Sequence, residues 1–326
     1  MYLFDLHCDT VTRLNSEGKN FRSNDAHIAL DRMSGLQWCQ CFAIFMPDEY
    51  RGQSAIDYFE DNYRFFRAQM DANRDCITQV RTSAEIETAL AEGKAAALLT
   101  VEGGSALAGD LSRVQRLAEC GVRMLTLTWN GSNEIASGNL TEYGFTEFGK
   151  QAVRELENAG IVLDVSHLND KGFWELTHLA TRPFIATHSN SRAVCNHPRN
   201  LTDEQFGYIV DHGGLVGINF CIHFISESKD PTFRQFADHI AHFLDLGGED
   251  VLALGSDYDG TDVPSWLDPA EKIRGLYPLI CDEFGEQIAE KIFFKNAYHF
   301  LNRYDNPANN AVQAKEDFLL AGSCAP

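Results

Sequence analysis

Near its start the chain reads Asp5-Leu6-His7-Cys8-Asp9-Thr10, with an imidazole and a carboxylate two residues apart. On a strand, residues at that spacing point to the same side, so His7 and Asp9 can grip one cation together. Alone the pair says little, because His-x-Asp arises by chance in long chains. Later apolar runs, however, end in the same way: Leu98-Leu99-Thr100-Val101 on Glu102, Leu163-Asp164-Val165-Ser166 on His167, Phe184-Ile185-Ala186-Thr187 on His188, and Leu252-Ala253-Leu254-Gly255-Ser256 on Asp257. Three imidazoles with two carboxylates suit zinc, or another borderline divalent ion, better than calcium or magnesium. Five ligands exceed one tetrahedral site and suit two ions sharing a carboxylate. The reading places Glu102 as the bridge, His7 and Asp9 on one ion, and His167 and His188 on the other. Ions about 3.5–4 Å apart can hold a hydroxide between them and lower the pKa of that water toward ~7. Simpler roles stay open at each position. A strand-end His can be a satisfied structural residue, Glu102 can cap the segment after it, and Asp257 can cap Tyr258-Asp259-Gly260. The joint placement of all six favours a metal-dependent hydrolase.

Such residues act together only in a fold that gathers strand ends. Apolar runs predict strands at 2–7, 37–45, 95–102, 123–128, 160–166, 184–187, 214–219 and 251–256. Helical spacing predicts helices at 54–75, 84–92, 112–119, 146–159, 170–179, 202–211, 232–246 and 282–301, with Phe233, Phe236, Ile240 and Phe243 on one stripe. Near-continuous apolar strands are those of a parallel sheet buried on both faces. Strand-helix alternation eight times over is the pattern of a (β/α)8 TIM-type barrel, whose active sites lie at the carboxyl ends of the strands. One domain over 1–326 is expected, with 303–326 as an extension outside the barrel and 46–54 as a long polar loop. His27, His178, His212, His239, His242 and His299 are expected at the surface or in packing, and His223 in a loop without a ligand role.

The bulk properties narrow the partners. The 27 Lys plus Arg against 47 Asp plus Glu give a net charge of −20, which argues against nucleic acid and anionic membrane. Nine cysteines, an odd number without small-scaffold spacing, suit a reduced protein better than a disulfide framework or a structural zinc at Cys39-Gln40-Cys41. Asp5 and His7 interrupt any apolar leader, and no run reaches the ~18 apolar residues of a membrane span. A soluble, cytoplasmic protein is the expectation.

These same residues carry a resemblance to the membrane (renal) dipeptidase family of zinc metallopeptidases. It runs from His7 to about Gly260 through the Asp-x-His-x-Asp opening, Glu102-Gly103-Gly104, Thr126-Leu127-Thr128, Asp164-Val165-Ser166-His167, Thr187-His188-Ser189-Asn190 and Gly255-Ser256-Asp257-Tyr258-Asp259-Gly260. Arg199-Asn200-Leu201 follows eleven residues after His188, where family members carry an Arg-Asn pair. The resemblance implies a (β/α)8 barrel, two zinc ions and hydrolysis of dipeptides, with a D-residue accepted at the carboxyl side. By matching motif His7, Asp9, Glu102, His167 and His188 take the zinc, and Arg199 binds the substrate carboxylate, a role suited to a guanidinium. Asp257 orients the bridging hydroxide, takes its proton and helps hold the substrate ammonium. A homodimer is a further implication.

One position departs from the family. After Thr126-Leu127-Thr128 the family has a His held to contact the carbonyl oxygen, and this chain has Trp129, an indole that donates one hydrogen bond but carries no charge. Losing an oxyanion donor typically costs about 2.7–4 kcal/mol. Metal alone then polarises the carbonyl, or Asn130 or another neighbour donates, or the substrate differs, or Trp129 is simply a pocket wall. Two other function classes follow from those choices. One is a dinuclear amidohydrolase of cyclic amides, lactams, lactones or N-acyl amino acids. The other is a weakly active barrel kept for binding. An aromatic residue beside the substrate is expected within 219–225.

Overall fold

The computed structural model describes residues 1–306. Its parallel strands are β1 (Tyr2–Asp5), β2 (Gln37–Phe45), β3 (Ile77–Val80), β4 (Ala95–Glu102), β5 (Val122–Thr126), β6 (Val162–Asp164), β7 (Ile185–Ala186), β8 (Leu215–Ile218) and β9 (Leu252–Leu254). β1 pairs with β2 and with β9, and β2 pairs directly with β4, so eight strands close a TIM-type barrel. The expected architecture is therefore the observed one, with one addition. β3 stands outside the ring against the lower half of β4, from Ile77 opposite Ala95 to Val80 opposite Leu98. β5 takes the upper half from Leu99 onward. Ile77-Thr78-Gln79-Val80 is four residues long with two polar ones in the middle, too brief to stand out as an apolar run.

Alternation along each strand sorts side chains between two layers. On β4, Ala96 and Leu98 belong to the interior with Phe4, Leu6, Cys39, Cys41, Met124, Val162 and Ile185. Ala97, Leu99 and Val101 face outward to the helices. The helix Phe233–Asp245 shows how that outer layer forms. Phe236, Ala237, Ile240 and Phe243 make its buried stripe, and Thr232 caps it, accepting from the Gln235 amide while the Gln235 side chain reaches back. Each phenylalanine buried this way contributes about 1.5–3 kcal/mol.

Higher in the barrel the inward positions turn polar. On β4 the sequence Ala96, Leu98, Thr100, Glu102 runs from apolar to charged, and on β6 Val162 is followed inward by Asp164. Asp164 accepts hydrogen bonds from Thr126 Oγ1 (2.6 Å), Thr187 Oγ1 (2.6 Å) and the amides of Ser166 and Thr187 (both 2.9 Å), tying the ends of β5, β6 and β7 together. Asp5 likewise accepts from the Ser256 amide (2.8 Å) and Oγ (2.6 Å), joining the end of β1 to the chain after β9.

Departures from the expected helices have local causes. The segment 282–301 is interrupted at Gly285, whose φ of 89° breaks the helix. It resumes as Glu286–Glu290, a π turn Lys291–Lys295 and Asn296–Asp305. The helix Ile273–Phe284 was not anticipated because it contains Gly275 and Pro278. Thr10–Glu17, also unanticipated, is a short helix ended by left-handed Gly18. Of the expected extension 303–326, residues 307–326 lie outside the described residues. No described helix is long and apolar enough to cross a membrane.

Candidate active site

Five strand ends converge on one buried cluster. Glu102 closes β4, whereas His7, His167, His188 and Asp257 stand just past the ends of β1, β6, β7 and β9. Glu102 lies between two groups. Its Oε2 is 3.5 Å from His7 Nε2. Its Oε1 is 2.8 Å from His167 Nε2 and 3.5 Å from His188 Nε2. His7 Nε2 is also 3.4 Å from Asp9 Oδ2 and 3.9 Å from Asp257 Oδ1. Strand geometry does not bring His7 and Asp9 together, since β1 stops at Asp5; the chain beyond the strand does. His167 (φ 71°) and Asp257 (φ 61°) hold left-handed backbone that non-glycine residues rarely adopt. Gly260 lets the last loop close over the cluster: a Cβ there would stand 2.0 Å from Asp9 Oδ2 and 2.7 Å from Asp257 Oδ1.

Capping roles do not account for these acids. The short helical turn Gly104–Leu107 after Glu102 has no side-chain cap, and Asp257 is held by Asn219 Nδ2 at 3.1 Å. The electrostatics are those of a cation site. Burial raises the pKa of Asp9 to about 8, with the Glu102 charge adding to it. Burial likewise raises Asp257 to about 6, against the opposing pull of His7. Burial lowers His167 to about 4 and pushes His188 well down. For His7, burial acts downward, but Glu102 and Asp9 outweigh it and hold the imidazole well above its usual range. His7 Nε2 and Asp9 Oδ1 are buried without a hydrogen-bond partner among the described residues. Atoms of His7, Glu102 and His188 lie within 4.8 Å of one another, as do those of His7, Asp9 and Asp257. A nitrogen and oxygen donor set with orphaned buried atoms fits a divalent metal.

A cavity of about 490 Å³ opens onto the cluster. Asp9, Glu102, His167 and Asp257 form its floor, and Phe45, Tyr58, Trp129, Asn130 and Phe224 are among its walls. Trp129 stands edge-on to Phe45 at 4.9 Å, so the ring is a wall of the cavity. Phe224 is an aromatic residue of the segment 219–225 that lines the cavity, while its neighbour His223 is exposed. Arg199 is buried behind it, with its guanidinium 5.3 Å from the ring and Nη2 donating to the His188 carbonyl at 3.2 Å. Among the described residues its Nε has no hydrogen-bond partner and the guanidinium makes no ion pair. Asp5, Asp164 and Asn219 were missed as supports of the site. The signal for the first two was present, since each acid precedes a candidate ligand by two or three residues. Asn219 had no such mark.

A family model described as membrane dipeptidase (peptidase family M19) matches residues 1–315. The protein in the PQQ-III 3′ region of Acinetobacter calcoaceticus is 32% identical, the match covering 74% of this chain and 89% of that protein. A metallopeptidase from Rhodobacter sphaeroides, solved with a phosphinate mimic of the dipeptide L-Ala-D-Ala, is 28% identical. It superposes with a TM-score of 0.89 over 93% of this chain and 99% of that one. The dipeptidase AC, a metallopeptidase of family M19, is 29% identical with a TM-score of 0.89 over 93% and 98%.

Proposed function

The chain belongs to the membrane dipeptidase family, peptidase family M19, and from that membership we propose that this metallopeptidase hydrolyses free dipeptides with two zinc ions at the cluster under the cavity. One observation carries the reading: Glu102 presents one carboxylate oxygen to His7 and the other to His167 and His188, so a single side chain faces two donor groups. His7 and Asp9 would hold one ion, His167 and His188 the other, and Glu102 would serve both. When bound, the metals supply a water acidic enough to attack near neutral pH and polarise the carbonyl.

The remaining work falls to the chain's own groups. Asn219 fixes Asp257 Oδ2 and leaves Oδ1 directed at the cluster. Asp257 takes the proton of the attacking water and returns it to the leaving amine, as suits a carboxylate that burial moves toward neutral pH. Asp257 also offers a negative partner for the substrate ammonium. Arg199, a buried guanidinium with no ion pair among the described residues, takes the substrate carboxylate, and Trp129 walls the site. Recognition of both termini limits the substrate to two residues. The Rhodobacter protein's L-Ala-D-Ala mimic supports acceptance of a D-residue at the carboxyl side.

The test is a panel of L-Ala-L-Ala and L-Ala-D-Ala with forms blocked at either end, given to zinc-loaded protein. Cleavage of the free dipeptides, lost on blocking either terminus and abolished by chelator, is expected. Two bound zinc ions without turnover would sink the reading in favour of cyclic or N-acylated amides.

A further inference from the structure

We propose that Asn130 is a catalytic donor, its Nδ2 hydrogen-bonding the scissile carbonyl oxygen as that oxygen gains negative charge. The inference rests on the amide hydrolysis proposed above and names a residue for a task no metal ligand performs. Asn130 follows β5 and lines the cavity beside Glu102 and His167. Its side chain makes two hydrogen bonds among the described residues, both through Oδ1: one with His167 Nδ1 at 2.9 Å and one from Asn139 Nδ2 at 3.1 Å.

Chemistry fixes the direction of that amide. His167 Nε2 faces Glu102 and His188 in the cluster, so as the metal ligand proposed above it would present its lone pair there. Nδ1 then carries the ring proton and must donate. Only the carboxamide oxygen can accept, which turns Nδ2 away from His167 with both its hydrogens uncommitted. The backbone is held as firmly. The Asn130 carbonyl accepts from the Leu140 amide at 2.9 Å. Gly138 lies so close beneath that a Cβ would stand 1.9 Å from the Trp129 carbonyl oxygen and 2.6 Å from that of Asn130. A donor fixed before substrate arrives is the kind that stabilises developing charge, because nothing reorganises during the reaction.

Arg13 is engaged by Asp259 at 3.2 Å and Glu17 at 3.4 Å. Trp129 is oriented by Phe45, whereas Asn130 is bonded to a member of the cluster itself.

The test compares wild type, Asn130→Asp, Asn130→Ala and Trp129→Phe in zinc content, dipeptide kinetics and affinity for a phosphinate dipeptide mimic measured by calorimetry. Asn130→Asp keeps an oxygen for His167 and removes the N–H groups. It is expected to retain zinc, to keep KM within about threefold, and to lose on the order of 10²-fold in kcat and in phosphinate affinity. Asn130→Ala should lose phosphinate affinity comparably, which separates a lost donor from repulsion by the new charge. Asn130→Asp within threefold of wild type in kcat and phosphinate affinity overturns the proposal. So does loss of zinc in that variant, which would make Asn130 a positioning residue for His167, and so does transfer of the deficit to Trp129→Phe. A wild type that binds the phosphinate but cleaves no dipeptide would sink the reaction while the binding arm still judges Asn130. Binding of neither would sink both.

Discussion

The two flanks of the cluster are buried alike and respond in opposite ways. On the flank built from β1 and β9, burial raises Asp9 to about 8, so without a cation it tends to hold a proton near neutral pH, and raises Asp257 to about 6, closer to neutrality than an ordinary aspartate. On the flank built from β6 and β7, burial lowers His167 to about 4 and pushes His188 well down, so the imidazoles are neutral. Burial disfavours charge in both places, and the residue type decides what that does. Asp9 and His7 on the first flank must give up protons to take a metal, whereas the imidazoles of the second are already uncharged. Their supports differ too. A single acid, Asp5, joins β1 to the chain after β9, whereas Asp164 binds three strand ends through four hydrogen bonds.

Removing what the flanks share should do the most damage. Glu102→Ala is expected to lower kcat/KM by more than about 10⁴-fold and to cut bound metal on both flanks, as measured by kinetics and elemental analysis. Asp257→Asn strikes the acidic flank alone. It should keep its metal and lose roughly 10²–10⁴-fold in kcat, and a variant that stayed active would remove Asp257 from proton transfer. Asp164→Asn weakens the support beneath the imidazole flank without touching a metal, and a titration of metal affinity should show a loss of about 10–100-fold. An unchanged affinity would show that His167 and His188 need no such scaffold.

The smallest effect concerns stability. His239 Nδ1 accepts from the Ser191 amide at 3.1 Å and Nε2 donates to the Ile225 carbonyl at 2.9 Å, linking the loops after β7 and β8. Burial lowers its pKa to about 4, while the Ile225 carbonyl and Asp238 pull upward and His242 downward. A histidine depressed on folding stabilises fully above its unfolded value of about 6.5, and that contribution is lost as pH falls through about 4. Thermal melts of His239→Gln and wild type between pH 7 and 4 should diverge in slope, wild type losing on the order of 3 kcal/mol more.

Much of this was readable in the chain because the barrel repeats one rhythm. Each closing strand announced itself as an apolar run, and each run that ended on an acid or imidazole delivered that residue to the cluster. The expected ranges 37–45 and 95–102 match β2 and β4, but other strands are shorter than their apolar runs. The run 160–166 yields only Val162–Asp164, because left-handed turns, invisible to hydropathy, carry His167 into place. β3 escaped for lack of length, and Asn219 and Phe224 because their roles arise from contacts across the barrel mouth. Periodicity finds what repeats; Asn219 belongs to no repeat.

The left-handed backbone at His167 and Asp257 has a consequence for how such a chain ages. A side chain in that conformation costs roughly 1–2 kcal/mol that glycine does not. On backbone grounds alone, His167→Gly and Asp257→Gly would make the molecule sturdier while removing two groups from the proposed site. A lineage released from the need to hydrolyse anything would find those two changes among the easiest improvements open to it. If the proposed hydrolysis is what holds them, a histidine at 167 and an aspartate at 257 are a tally of its continued use, kept against the grain of the fold.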